Sequence, residues 1–420
     1  MIDPSQNMDM VADVLIRDGK IAGVGENLDA ADCDVKDVAG MVVAPGLVDL
    51  HCHLREPGQE RKETIATGTR AAVAGGFTSV LPMPNTTPVA DSPASILYVK
   101  DRAKEAGYAH VYPIGAITKG SKGQELAEMS AMADAGAVAF SDDGRPVDSS
   151  RIMRLAMEYS HITKLPLIAH EEDLSLVDDG DMNEGYMSTV LGLRGNPAAA
   201  EETMIARDII LCRLTGARLH VAHVSTANGV KMIRDAKEEG LNITAEVTPH
   251  HLTLTEEALR TYDTNMKVNP PLRTKADVDA LIEGLKEGII DCVATDHAPH
   301  TVEDKVIEFH YAANGISGFE TALPVLWTEL VQEGRISAME LINRMSTVPA
   351  KIMDLPAGTL QEGAVADVVV FDPETILAVD KDEFYSKGKN TPYHERLLSG
   401  WPVLTVVDGQ IVMEDRKVKE

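Results

Sequence analysis

Residues 41–55 read "MVVAPGLVDLHCHLR". The apolar run has the composition of a strand buried on both faces, and it ends in two imidazoles and a guanidinium. Residues i and i+2 of a strand point to one side, so His51 and His53 face together while Cys52 faces away. Arg55, two positions further on, is expected on that same face.

The same idiom then recurs along the chain: "FTSVLPMPN", "HVYPIGAI", "AVAFSDDG", "PLIAHEED", "RLHVAHVST", "NITAEVTPH" and "DCVATDHAPH". With the opening run these make eight candidate strands. The stretches between them carry helical spacing, for example Ile152, Leu155, Ala156, Tyr159 and Ile162, and they stop at glycines in "AVAGG", "KEAG", "ADAG", "LTG" and "EEG". Eight buried strands alternating with helices predict an α/β protein built as a (β/α)8 TIM-like barrel. A doubly wound open sheet is the alternative, but no GxGxxG follows the first strand.

The ends read differently. Residues 12–24 ("ADVLIRDGKIAGV"), 366–372 ("ADVVVFD") and 402–413 ("PVLTVVDGQIVM") alternate apolar and polar residues, and the first and last do so around a "DG" turn. They predict a small β-sandwich domain assembled from both termini, residues 1–46 plus 356–420, around a catalytic barrel at 47–355.

Composition narrows the function. A net charge of −27 over 420 residues argues against a nucleic-acid surface, because phosphate binding needs a Lys/Arg excess. No apolar run approaches the ~20 residues of a membrane span, so a cytoplasmic protein with no membrane partner is expected. The four cysteines, 33, 52, 212 and 292, are too scattered for a disulfide framework or a metal knuckle. Cys52 and Cys292 read as small core residues. The chain has no GxSxG and no Ser–His–Asp pattern.

Polar clusters fall at the C-terminal ends of the predicted strands, the face that carries active sites in this architecture. They are His51 and His53, Asp142 and Asp143, His170, His220 and His223, and Asp296 with His300. A lone His at a strand end is usually a satisfied core or surface group. Five strands converging with imidazoles and carboxylates at one mouth instead suggest borderline divalent metals such as zinc. His250 and His251 read as structural or supporting groups, and the "EED" after His170 as a solvated loop or helix face.

"GLVDLHCHLREPGQERKETIATGTRAAVAGGFTSVLPMPNTTP", "AFSDDG", "IAHEED", "HVAHVST", "EVTPHHL", "KVNPPLR" and "ATDHAPH", with the C-terminal "SKGKNTPYHERLLSGWPVLTVVDGQIV", resemble the amidohydrolase superfamily. More narrowly they resemble the dihydroorotases of the long bacterial and archaeal class I type. The resemblance implies two divalent ions, Zn2+ in the family, with His51, His53 and Asp296 on one, His170 and His223 on the other, and Asp143 bridging. Asp142 is the alternative bridge. It implies reversible cyclisation of N-carbamoyl-L-aspartate to L-dihydroorotate in pyrimidine synthesis, by a binuclear metal-hydroxide mechanism with Asp296 moving the proton. Arg55, with Asn85 and His300, would hold the substrate carboxylate; Asn269 and the backbone at Asn314 and Gly315 would hold the ring.

Many superfamily members bridge their ions with a carboxylated lysine. Here Ser141 stands where that lysine would be expected. The family commonly has "AP-x-G" where this chain has "AANG" at 312–315, and a further strand before "IDPSQ". The small domain is therefore expected to lack an edge strand, unless the true start lies upstream of Met1. A small-molecule substrate, a homodimer and an association with aspartate transcarbamoylase complete the expected partners. The competing readings are a hydantoinase, dihydropyrimidinase or allantoinase, which open rings without the carboxylate, and an inactive scaffolding subunit, which would have lost ligands.

Overall fold

The computed structural model describes residues 1–26, 28–29 and 32–420. The N-terminal hairpin pairs β1 (Asp13–Arg17) with β2 (Lys20–Gly25). Its turn residues Asp18 and Gly19 have φ of 50° and 74°, a left-handed pair that matches the strand twist and that Asp–Gly accepts readily. The opening run, expected as one strand, divides at Pro45–Gly46. Its first part, β3 (Val42–Pro45), belongs to the small domain's sheet, and its second part, β4 (Leu47–Cys52), is the first barrel strand. A Cβ on Gly46 would lie 2.2 Å from the Thr78 hydroxyl, so only glycine lets the chain pass from one sheet to the other.

From β4 the chain alternates as expected: α1 (Ile65–Ala74), β5 (Phe77–Pro82), α2 (Pro93–Ala106), β6 (His110–Val111), β7 (Ile114–Gly115), α3 (Met129–Ala135), β8 (Ala139–Ser141) and α4 (Ser150–Thr163). It continues through β9 (Leu167–Ala169), α5 (Ala198–Thr215), β10 (Leu219–Val221), α6 (Ala227–Glu238), β11 (Ile243–Val247), α7 (Lys275–Glu287), β12 (Cys292–Val293) and α8 (Phe319–Leu326). The barrel pairs are parallel. Pro113, lacking an N–H, interrupts the third strand, so β6 pairs back to β5 while β7 pairs forward to β8. The last strand meets the first through the pairing of Cys52 with His297, and His53 N–H donates to His297 O at 2.8 Å.

Side-chain caps start the helices: Thr64, Ser149, Thr226 and Thr274 each accept an N–H of the first turn. Gly107, Gly136 and Gly216 end helices in the left-handed region, as their positions in the sequence indicated. The buried face of α4 differs from the expected one. Ile152, Met153, Ala156 and Met157 are buried, whereas Ile162 is 65% exposed. The two methionines turn the apolar stripe, because their unbranched side chains fill the core as well as Leu or Ile would.

After the barrel, β13 (Val368–Asp372), β14 (Trp401–Val407), β15 (Gln410–Glu414) and β16 (Lys417–Val418) form an antiparallel sheet in the order β16–β15–β14–β13–β3. Ile21 from the N-terminal hairpin packs with Val43, Val368, Val370 and Val406 of this sheet, joining both termini in one sandwich. No helix among the described residues is long and apolar enough to cross a membrane.

Candidate metal centre

His51, the penultimate residue of β4, is wholly buried, and His53 follows it just past the strand end. Asp143 lies beyond β8, His170 beyond β9, His223 beyond β10 and Asp296 beyond β12. All of these side chains are buried, and parallel closure of the barrel brings them to one mouth. Asp143 stands at the centre. Its Oδ2 lies 3.4 Å from His51 Nε2 and 3.6 Å from His53 Nε2. Its Oδ1 lies 3.4 Å from His170 Nδ1 and 3.5 Å from His223 Nε2. Asp296 Oδ1 is 3.0 Å from His53 Nε2 and 3.7 Å from His51 Nε2.

These separations fit metal ligation. Nitrogen donors at ~2.0–2.1 Å from a tetrahedral ion are ~3.3 Å apart, close to four of the distances around Asp143. The contacts His53–Asp296 and His170 Nδ1–His223 Nε2, at 3.0 and 2.9 Å, are tighter. His51 Nε2 and Asp143 Oδ1 are buried without a hydrogen-bond partner among the described residues, and His51, His53 and Asp143 form one possible donor triad, Asp143, His170 and His223 another. Buried polar atoms left unpaired are costly, and cations between them would satisfy them. Asp142 is drawn elsewhere: it accepts from Ile117 N at 2.9 Å, from Thr118 N at 3.0 Å and from the Thr118 hydroxyl.

The field of the site is mutual. Burial alone would raise Asp143 and Asp296, but the surrounding imidazoles hold both carboxyls well below the usual range. Burial alone would lower His51 and His170, but the facing carboxylates raise both, His170 to about 10. His250, buried near His51 and His223, is instead pushed down to about 4. It stays neutral, in keeping with a supporting role. His223 and Asp296 both have left-handed backbones, with φ of 32° and 46°. Such conformations in non-glycine residues concentrate at functional sites.

Arg55 also departs from strand geometry. The strand has ended, and a φ of 62° rather than strand parity aims its side chain. The guanidinium is buried, its Nε donates to Pro299 O at 3.3 Å, and its Nη2 lies 3.3 Å from His300 Nε2. Lys62 Nζ donates to His300 Nδ1 at 3.2 Å, so Nε2 carries the hydrogen given to Asn314 O at 2.8 Å. Burial, then Arg55, Lys62 and Lys305, push His300 down and keep it neutral. Asn85 Oδ1 is 3.0 Å from His53 Nδ1, so its carbonyl orients that ring. Asn269 bonds Glu172, which in turn holds His170 Nε2 at 3.1 Å. Both backbone groups of Gly315 are engaged: its N–H bonds Lys267 O, and its carbonyl accepts from Lys305 and Asn390.

Sequence reading alone did not single out several supporting groups. Glu246 on β11 takes His51 Nδ1 at 2.6 Å and lies 3.1 Å from His220 Nε2, which places His220 beside Glu246 rather than Asp143. Asp49 accepts from Thr295 N and its hydroxyl, at 2.6 and 2.8 Å, tying the first strand to the eighth. The "EED" stretch is not solvated as expected: Glu171 and Glu172 are buried and only Asp173 faces outward, as a helix cap. Asp49 carried a usable signal, two residues before His51 on the same face; Glu246 carried none beyond being acidic inside an apolar strand.

Residues 40–229 match the family of dihydro-orotase-like proteins, and residues 213–413 the amidohydrolase family. A dihydroorotase of Pelotomaculum thermopropionicum is 52% identical over 100% of this chain and 98% of its own. Another, of Ruminiclostridium cellulolyticum, is 52% identical over 99% of this chain and 97% of its own. The solved L-hydantoinase (dihydropyrimidinase) of Arthrobacter aurescens has a TM-score of 0.88 at 29% identity, covering 97% of this chain and 94% of that one. Barrel, terminal sandwich and His/Asp centre together define an amidohydrolase. Within that class, the chain belongs to the dihydroorotase family of cyclic amide hydrolases.

Proposed function

We propose that this protein interconverts N-carbamoyl-L-aspartate and L-dihydroorotate. The observation that carries the reading is Arg55: a buried guanidinium beside the His/Asp centre, favoured in its charged form by Asp296 and Asp143 but with no carboxylate in direct ion-pair contact among the described residues. A buried guanidinium without a direct carboxylate partner is costly, and a substrate carboxylate can fork onto it. Neutral hydantoin or dihydrouracil rings would leave it unpaired, which favours dihydroorotate over the hydantoinase reading suggested by the solved neighbour's name.

His51, His53 and Asp296 would hold one divalent ion and His170 and His223 the other, with Asp143 between them; the nitrogen and oxygen donors favour Zn2+. Ions held there would supply Lewis-acid polarisation of the ring amide carbonyl and a water activated at neutral pH. Asp296, ionised and beside His53, accepts the proton of the attacking water and delivers it to the departing ring nitrogen; ring closure runs the transfer backwards. Asn85 and Glu172 keep His53 and His170 oriented, while Arg55, with His300 packed beside it, fixes the carboxylate end. Residues 47–355 form the catalytic unit in this reading, with 1–46 and 356–420 as the small domain.

Metal analysis coupled to hydrolysis assays tests the proposal. The wild type should carry two ions per chain and open dihydroorotate but not dihydrouracil or hydantoin. Losing one partner of a buried charged pair costs roughly 2–5 kcal/mol, so Arg55→Ala should lower kcat/KM by about 30-fold or more with metal content unchanged. Comparable opening of the rings that lack a carboxylate would defeat the assignment.

A further inference from the structure

The C-terminal stretch "SKGKNTPY" (386–393) lies against the barrel mouth, outside every strand of the small sheet. Its backbone runs so close that a Cβ on Gly388 would sit 2.5 Å from the Pro299 side chain. Two residues on, Asn390 is buried and spends its whole amide on the surrounding turns. Oδ1 accepts from His300 N at 2.9 Å and lies 2.9 Å from the Ser317 hydroxyl, whose one hydrogen it shares with the Gly388 carbonyl, also at 2.9 Å. Nδ2 donates to Ala298 O and to Gly315 O, both at 3.0 Å. The Asn390 backbone carbonyl accepts from Ser317 N at 2.8 Å.

We infer that Asn390 is a positioning residue for the substrate-carboxylate subsite, acting through His300 and Arg55; the inference rests on the function proposed above. Its amide clasps the Ala298–His300 turn on both sides. That turn brings His300 and the Pro299 carbonyl to Arg55. The same Nδ2 holds Gly315, next to the Asn314 carbonyl that bonds His300. Arg55 and His300 therefore keep their spacing because a residue some 90 positions downstream of His300 supplies two N–H donors and one acceptor oxygen in fixed directions. Only an amide does this. An aspartate has the same shape but no donors, so it would set a negative oxygen against the carbonyls of Ala298 and Gly315.

The test is steady-state kinetics on the metal-loaded full chain with dihydroorotate, comparing wild type, Asn390→Asp and Ser317→Ala. A misplacement on the ångström scale can cost up to about a hundredfold, so Asn390→Asp should raise KM by about tenfold or more, with kcat within about threefold and metal content intact. Ser317→Ala removes one hydroxyl from the same clasp and should raise KM by a smaller factor of about threefold. A merely structural role would lower the folded, active fraction and hence kcat, leaving KM unmoved. Unchanged KM in a folded Asn390→Asp overturns the inference; if that variant does not fold, unchanged KM in Ser317→Ala overturns it. A wild type inert toward dihydroorotate would instead defeat the proposed function itself.

Discussion

Glu246 accepts the Nδ1 hydrogen of His51 at 2.6 Å from across the barrel. The bond keeps the hydrogen on Nδ1, so that Nε2, 3.4 Å from Asp143, is the atom that would give its lone pair to a cation held there. Burial pushes Glu246 up, but His51 and His220 overcome it and bring its carboxyl down to about 2, so it is a full anion at neutral pH.

Glu246→Gln keeps the shape and an acceptor but removes the charge that makes His51 a better donor to a cation. Such supporting partners are typically worth about 10–100-fold in metal affinity. Chelator competition on the variant should show a loss in that range, and an unchanged affinity would remove Glu246 from the support of the centre.

The two adjacent aspartates should separate cleanly. Asp143→Ala is expected to strip at least one ion, because both its oxygens face imidazoles. Asp142→Ala should keep both ions but lose roughly 1–3 kcal/mol of stability, since it leaves the amides of Ile117 and Thr118 unpaired. Reconstitution should not depend on bicarbonate, because Ser141 offers no amine to carboxylate. Inductively coupled plasma mass spectrometry and urea denaturation read both variants; the opposite ranking would move the bridge to Asp142.

Asp296→Asn preserves size but cannot take a proton. A positioned acid–base group is typically worth about 10²–10⁴-fold, so turnover should fall by at least about a hundredfold in both directions of the reaction. Circular dichroism should show the variant folded. Near-normal turnover would take Asp296 out of the proton transfer.

Glu320, on α8, gives a pH-dependent stability. Burial raises its carboxyl from 4.5 to about 8, against the amides of Tyr385 and Ser386 that its oxygens accept. Between those values the folded chain retains a proton that the unfolded chain has released. Its contribution is therefore complete below pH 4.5 and lost as the pH rises to about 8. Glu320→Gln, always neutral, should gain stability on the wild type as the pH is raised across that window. The gain should be roughly 1 kcal/mol or more, since each tenfold difference in proton affinity between folded and unfolded chain is worth about 1.4 kcal/mol. Urea midpoints that run parallel for the two proteins at all pH values would contradict this.

Periodicity and punctuation made much of this molecule legible without coordinates. Buried strands announce themselves as apolar runs, the Asp18–Gly19 and Asp408–Gly409 turns need left-handed residues, and helices stop at glycine; all of these are local effects. His51 and His53 could be placed together because strand alternation is also local. Tertiary structure decided what depends on distance in space. Gly46 splits the opening run between two sheets because Thr78 crowds it, Pro113 breaks the third strand between two neighbours, and Arg55 reaches its place through a left-handed backbone. Asp143 rather than Asp142 faces the four imidazoles because Thr118 and Ile117 occupy the other carboxylate. Glu246 and Asn390 acquire their partners from 195 and 90 residues away. No window of sequence contains both ends of such a bond, and only closure of the barrel and the return of the C-terminal segment bring them within hydrogen-bonding reach.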